Sequence, residues 1–206
     1  MHVRDLIISG AMKPGDHLIE TKLADELDVR RGTLREALRP LQNEGLLVND
    51  GRGHLLVRKL SADEIREVFQ VRAALEILAA TILTEREDRD AIAELRVAIE
   101  PLLKDDLEFG RQIQVDLGFH ELLCRLTGNG TLVNMWRQLI GRIEMMIIAA
   151  GPAMGSSRMR NQDHVGIASA IASGDAGSVR AELSRHMNEL ATKYLRDYDA
   201  ANASVS

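Results

Sequence analysis

From Ser61 onward the chain reads as one helix after another, with no strand signal between them. SADE opens this stretch with a capping box, Ser61 facing Glu64, after a short linker at 58–60. The expected helices span 62–84, 88–103, 107–126, 130–150, 157–172 and 175–197. TEREDR, LLKDD, TGNG, AAGPAMGSS and SGD separate them. Six helices with short connections can bury their apolar stripes only against one another, so residues 62–197 are expected to form an all-α antiparallel bundle, with 198–206 as a flexible tail.

The first 58 residues are organised differently. A short helical pattern (Val3, Leu6, Ile7) stops at Gly10, and MKPGD supplies a turn. Thr21 is the expected N-cap of a second helix carrying Leu23, Ala24 and Leu27 on one face. A turn at Asp28 and Val29 leads into a longer helix with Leu34, Ala37, Leu38 and Leu41 at helical spacing, capped by Gly45. LLV at 46–48, NDGRG and LLV at 55–57 then read as a hairpin. Helix, helix, tight turn, helix, hairpin is the order of a winged helix-turn-helix, whose second paired helix enters the major groove. The predicted fold class is therefore mainly α: a DNA-reading domain at 1–58 with a small β wing, then the bundle.

The formal net charge of −5 is divided unevenly. Residues 1–60 hold ten Lys and Arg against nine Asp and Glu, whereas 61–206 hold 16 against 22. The acidic excess thus lies outside the first domain. Arg30 and Arg31 sit at the start of the third helix, where the macrodipole is positive and a cation costs about 0.3–1 kcal/mol. A phosphate at that end satisfies both the open amides and the arginines, while Thr33 or an arginine reaches a base edge and Arg35 shares the face one turn on. The competing reading is a solvated face paired with Asp28 and Glu36.

Motif content separates the two. ISGAMKPGDHLIETKLADELDVRRGTLREALRPLQNEGLLV, within residues 8–57, resembles the N-terminal domain of the GntR family of bacterial transcription regulators, matching G-x-x-x-PG-x-x-L-x-E-x-x-LA-x-x-x-x-VSRTPVREAL-x-x-L-x-x-EGL almost throughout. By position, the resemblance implies DNA contacts from Arg31, Thr33 and Arg35, and a wing containing Gly51 and Gly53. The departure is at Arg30, Arg31, Gly32 and Thr33, where the family usually has Ser-Arg-Thr-Pro. Arg30 replaces a capping residue and Gly32 removes a hydroxyl, so operator choice is expected to differ.

In the bundle, Asp116 and His120 are four apart on one helix and therefore share a face. His164 precedes Gly174 by ten residues and His186 follows it by twelve. If SGD turns two antiparallel helices, both imidazoles lie about 15–18 Å from the turn, nearly level. One carboxylate and three imidazoles suit a divalent metal such as Zn²⁺, Ni²⁺ or Mn²⁺ with open positions for water or a ligand. The alternative for each histidine is an ordinary hydrogen-bonded helix residue. Residues 62–197 are similar to the FCD ligand-binding domain of FadR-type GntR regulators, through VRAALEILAA, the Asp-x3-His pair, HVGIASAIASGDA and His186. That resemblance implies that Asp116, His120, His164 and His186 hold the metal and that a small carboxylate binds at or beside it. It also makes Arg72 a candidate for the effector carboxylate, against an ion pair with Glu76. Asn134, Arg137 and Arg142 are further effector candidates whose helix phase decides whether they point inward. Met145 and Met146 are read as core packing.

Length and composition narrow the rest. With 45% hydrophobic and 28% charged residues the chain is expected to be soluble and cytoplasmic, without a membrane span. The one cysteine, Cys124, can form no internal disulfide and reads as core. The expected function is a metal-dependent regulator, not an enzyme, acting on double-stranded operator DNA and answering to a small organic acid; the resemblance to GntR regulators implies that it acts as a homodimer. Three rivals remain: a bundle that serves only dimerisation, a direct metal sensor, and a metallohydrolase, for which no general base such as the Glu of H-E-x-x-H stands near the ligands.

Overall fold

The computed structural model describes residues 2–103, 107–159 and 162–203. The first part contains α1 (His2–Ile8), β1 (His17–Leu18), α2 (Glu20–Glu26), α3 (Arg31–Asn43), β2 (Leu47–Asn49) and β3 (Leu55–Val57). Leu34, Leu38 and Leu41 form the buried stripe of α3, three and four residues apart as a helix requires. Gly45 takes φ 83°, and the Gly45 and Leu46 amides donate to the carbonyls of Gln42 and Leu41, so α3 ends in a Schellman motif as its glycine suggests.

The wing has one strand more than the hairpin expected from sequence. β3 pairs antiparallel with β2 and, on its other edge, with β1, giving the order β1-β3-β2. Two residues, His17 and Leu18, make the extra strand and are too few to alternate visibly. A second difference lies at α2, whose N-cap is Ile19, not Thr21; Glu20 already occupies the first turn.

The bundle is built from α4 (Ala62–Arg86), α5 (Arg89–Ile99), a 3₁₀ turn (Glu100–Leu103), α6 (Phe109–Leu126), α7 (Gly130–Met159), α8 (Gln162–Ala172) and α9 (Ala176–Ala203). Ser61 Oγ accepts from the Glu64 amide at 3.2 Å while Glu64 Oε2 accepts from the Ser61 amide at 2.9 Å, the reciprocal box foreseen at SADE. Asp88 caps α5 through the Ala91 amide, and Asp175 caps α9 through the amides of Gly177 and Ser178. α4 packs along α9 and α6 along α7, with α8 against α9. No helix among the described residues is long and apolar enough to cross a membrane.

Two boundaries depart from expectation. AAGPAMGSS does not end α7: helical backbone runs to Met159, interrupted at Gly151 by φ 77° and ψ 167°. The expected tail at 198–206 is helical through Ala203, because Leu195 and Tyr198 still pack on the core after Tyr194 stacks on Phe69 at 5.8 Å. Residues 204–206 lie outside the described residues.

Replacing Ser61 with Ala removes one half of the box that starts α4. The expected loss is about 1 kcal/mol, a fall of roughly 2–4 °C in the thermal midpoint for a chain of this size; an unchanged melting curve would show that α4 is held by packing alone.

Candidate DNA-reading surface and buried histidine site

α2 and α3 form the helix pair of the first part, and every DNA-contact candidate is exposed there: Arg30, Arg31, Thr33 and Arg35 on or next to the start of α3, Gly51 and Gly53 on the wing. Arg30 is the N-cap of α3 in extended conformation, with no side-chain hydrogen bond to the helix amides. Nothing in the first turn of α3 is acidic. Arg35 Nε donates to Glu20 Oε2 at 2.7 Å and Arg39 lies 3.9 Å from Glu36. Among the described residues, Arg30 and Arg31 have no acidic partner, so the paired-face alternative with Asp28 does not apply to them. Two exposed guanidinium groups thus stand at the positive end of a helix without a side-chain cap, an electropositive surface.

The second site is buried. α4 contributes Arg72 and Glu76, α6 contributes Asp116 and His120, α7 contributes Trp136, α8 contributes His164 and α9 contributes His186. Asp116 retains 6% exposure, Arg72 2%, His186 1%, and Glu76, His120 and His164 none. The levelness expected across SGD is realised: His120, His164 and His186 each bring one ring nitrogen within 4.8 Å of the others. Their ring centroids are 5.1 to 5.7 Å apart, and the Phe119 ring stands edge-on to His120 and His164 at 5.1 Å. Asp116 joins through a 3.2 Å contact between Oδ1 and His164 Nε2.

Glu76 organises this cluster. Its Oε1 accepts from Arg72 Nε at 2.7 Å and from Trp136 Nε1 at 3.1 Å, while Oε2 lies 2.6 Å from His120 Nδ1. Burial works against a charge on Glu76, but His120 and Arg72 outweigh it and hold the carboxyl well below its usual range. An ionised carboxylate only accepts, so His120 Nδ1 must carry the proton. Its Nε2 lone pair then points at His164 Nε2, 3.1 Å away. Burial pushes the His120 imidazole down to about 4 against the opposing pull of Glu76, so it is neutral at physiological pH, the form in which imidazole ligates a metal. Asp116 is lowered to about 2, burial being outweighed by the His164 hydrogen bond and the nearby charge of Arg72.

Arg72 is neither on the surface nor only an ion pair. Its Nε is taken by Glu76, yet Nη2 is buried with no hydrogen-bond partner among the described residues. Such an orphaned donor in a low-dielectric interior carries a desolvation cost that a bound acceptor would remove.

The remaining effector candidates do not join. Asn134, Arg137 and Arg142 are exposed, because the buried stripe of α7 runs through Leu132, Val133, Trp136, Leu139 and Ile143. Arg137 pairs with Glu121, and Arg142 lies beside Gly45. Sequence reasoning overlooked Trp136 and knew Glu76 only as a possible partner of Arg72. The available signal was an arginine and a glutamate four apart inside the apolar run VRAALEILAA. Cys124 is buried and burial pushes its thiol up, away from reactivity.

Comparison with known proteins agrees with this division. Residues 1–57 match the model of bacterial regulatory proteins of the gntR family, and residues 67–189 match the FCD domain. The Nta operon transcriptional regulator of Aminobacter aminovorans is 28% identical over 190 residues, 90% of this chain and 89% of its own length. The gluconate operon transcriptional repressor of Bacillus licheniformis is 32% identical over 155 residues, 71% of this chain. An uncharacterised HTH-type regulator of Bacillus subtilis, YdhC, is 32% identical over 136 residues. The matched segments span 60% and 61% of the lengths of those last two. In fold, the chain superposes on E. coli McbR/YncC with a TM-score of 0.71 at 22% identity, covering 94% of this chain and 93% of the other. A GntR regulator from Rhodococcus gives 0.70 at 23% identity over the same shares. A winged helix-turn-helix followed by an FCD bundle, matched in both halves, places this chain in the GntR family as a DNA-binding transcription regulator.

Proposed function

We propose that this regulator binds operator DNA through α3 and the wing, and that a small carboxylate bound at or beside a divalent metal in the FCD bundle sets its affinity. The observation that carries the reading is the pairing of three converging imidazoles with a buried arginine whose Nη2 is free. Glu76 bridges the two features, holding Arg72 with one oxygen and His120 with the other.

Three nitrogens and the Asp116 carboxylate fit Zn²⁺, Ni²⁺ or Mn²⁺. His120 is held with Nε2 inward by a carboxylate on its far nitrogen, the usual way a ligating imidazole is fixed. A divalent ion held there would supply a Lewis-acidic partner for one carboxylate oxygen. Arg72 Nη2 offers a charged donor to the same anion. The purely structural bundle explains neither the orphaned guanidinium nitrogen nor four ionisable groups brought into one interior cluster. Hydrolysis is disfavoured because, among the described residues, the carboxylate beside the cluster other than Asp116 is Glu76, whose two oxygens are already committed to three donors. Homodimer formation on an inverted repeat is part of the proposal; Val71 and Leu78, 49% and 47% exposed and seven residues apart on α4, supply an apolar strip for a second copy.

On an operator recovered by selection from random duplexes, Arg31→Ala and Arg35→Ala are each expected to weaken binding by about 1–3 kcal/mol. Full binding by both variants in a mobility-shift titration would remove α3 from the interface. Elemental analysis of protein purified without chelator should find metal near one equivalent in the wild type and little in His164→Ala or His186→Ala. Equal content in all three rejects these ligands. In the metal-loaded protein, small organic acids should raise the thermal midpoint by mass action, and Arg72→Lys should cut that affinity by an order of magnitude or more. An acid-independent midpoint in the wild type would favour the structural bundle, and operator affinity that follows metal alone would favour the direct metal sensor.

A further inference from the structure

The two functional surfaces lie on different parts of the chain, yet one helix touches both. Trp136 on α7 donates its indole N–H to Glu76 at the histidine site. Five residues further along α7, Gly141 is buried against the C-terminal end of α3: a Cβ there would overlap the backbone carbonyl of Glu44, the C-cap of the recognition helix. Only glycine permits that approach.

Three residues beyond, Glu144 is buried, with 4% exposure. Both its oxygens accept from Nη1 of Arg4 on α1, at 2.9 and 2.8 Å. The other terminal nitrogen of Arg4 bonds Glu44. One guanidinium from the DNA-reading part therefore ties a buried carboxylate of α7 to the end of α3. Burial pushes the Glu144 carboxyl up and Arg4 pulls it back, so Arg4 supplies the counter-charge of a buried acid at this contact. Ile8, at the end of α1, reaches Gly110 at the start of α6, so docking also involves a second bundle helix.

We propose that Arg4, Glu44, Gly141 and Glu144 form a lock that fixes the orientation of the DNA-reading domain, and that the histidine site controls it through the Glu76–Trp136 hydrogen bond and α7. The inference deepens the ligand-responsive reading above by naming where the pocket's state reaches α3. Glu144 and Trp136 act as positioning residues; neither touches DNA. A rigid helix with a hydrogen bond to the pocket at Trp136 and a close-packed contact to the reader at Gly141, five residues apart, is a physical link between two sites, and its coupling is measurable.

The lock can be read as a distance. Arg52→Cys on the wing and Val97→Cys on α5 place two exposed spin labels, one on each part, while the buried Cys124 stays unlabelled. Pulsed dipolar spectroscopy on the full chain, diluted with unlabelled protein, gives the interdomain distance distribution, with circular dichroism and zinc content recorded for each variant. The wild type should give one narrow distribution. Glu144→Gln, which removes the charge but keeps the shape, and Gly141→Ala, which forces α3 off α7, should broaden or shift it at unchanged helix content. Trp136→Phe, which alters only the pocket end, should broaden it as well. Wild-type distributions in both Glu144→Gln and Gly141→Ala overturn the lock, and a wild-type distribution in Trp136→Phe alone overturns its link to the pocket. Absence of zinc uptake by the wild type in zinc-containing buffer would instead count against the metal reading, while the three variants still decide the lock in protein stripped with EDTA.

Discussion

A single buried carboxylate, Glu76, organises the buried site of the FCD half. Placing an unpaired carboxylate in a protein interior costs several kcal/mol, and Glu76 has no exposure at all. Its charge survives because three donors from three helices meet it: Arg72 of α4, His120 of α6 and Trp136 of α7. Each contact then has a consequence beyond the carboxylate. Arg72 is oriented with Nη2 free, His120 is fixed in the tautomer that turns Nε2 toward His164, and α7 is tied to the site. The histidine cluster is therefore organised by a residue outside it, and its donor geometry exists before any ligand arrives.

The same economy of charge distinguishes the two halves. At the histidine site the charges of Arg72, Glu76 and Asp116 are buried and matched, apart from the one nitrogen of Arg72. On the reader they are exposed and, at the start of α3, unmatched: Arg30 and Arg31 stand at an N-terminus with neither a side-chain cap nor an acidic first turn. Where a usual capping residue would satisfy the helix internally, this chain leaves its first amides and two guanidinium groups to an external anion. That substitution leaves the free helix end without an internal cap, and on the proposed operator binding it would raise the share contributed by phosphate, which positions the protein without itself reading sequence.

Features governed by local periodicity were legible from the sequence. The Asp116 and His120 pair, the capping box at Ser61 and Glu64, the Gly45 helix end and the levelness of His164 and His186 all follow from 3.6 residues per turn and a recognisable stop signal. Nonlocal placement was not legible. Asn134, Arg137 and Arg142 looked equivalent to inward-facing residues because α7 is apolar over much of its circumference, so composition could not set its phase. Strand β1 is induced by the edge of β3 and has no pattern of its own. α9 continues through Ala203 because Tyr194 and Tyr198 find the core, overriding the small polar residues that suggested fraying. Trp136 and Glu76, sixty residues apart, could not be paired by any spacing rule.

A ligand alters an equilibrium only to the extent that it interacts differently with the two states. In this chain the pocket groups come from α4, α6, α8 and α9, with α7 attached through Trp136, so an anion satisfying Arg72 acts on relative helix positions and not on one segment. Most of those helices end within the bundle. α7 also touches the end of the recognition helix at Gly141 and holds Arg4 through Glu144, a contact with little room for gradual adjustment: a glycine already at backbone contact can separate but cannot approach further. On the proposed coupling, a small change in the position of α7 would be converted into a docked or undocked reader, and the close approach that makes the docked state specific would be what carries a signal from the buried site to α3.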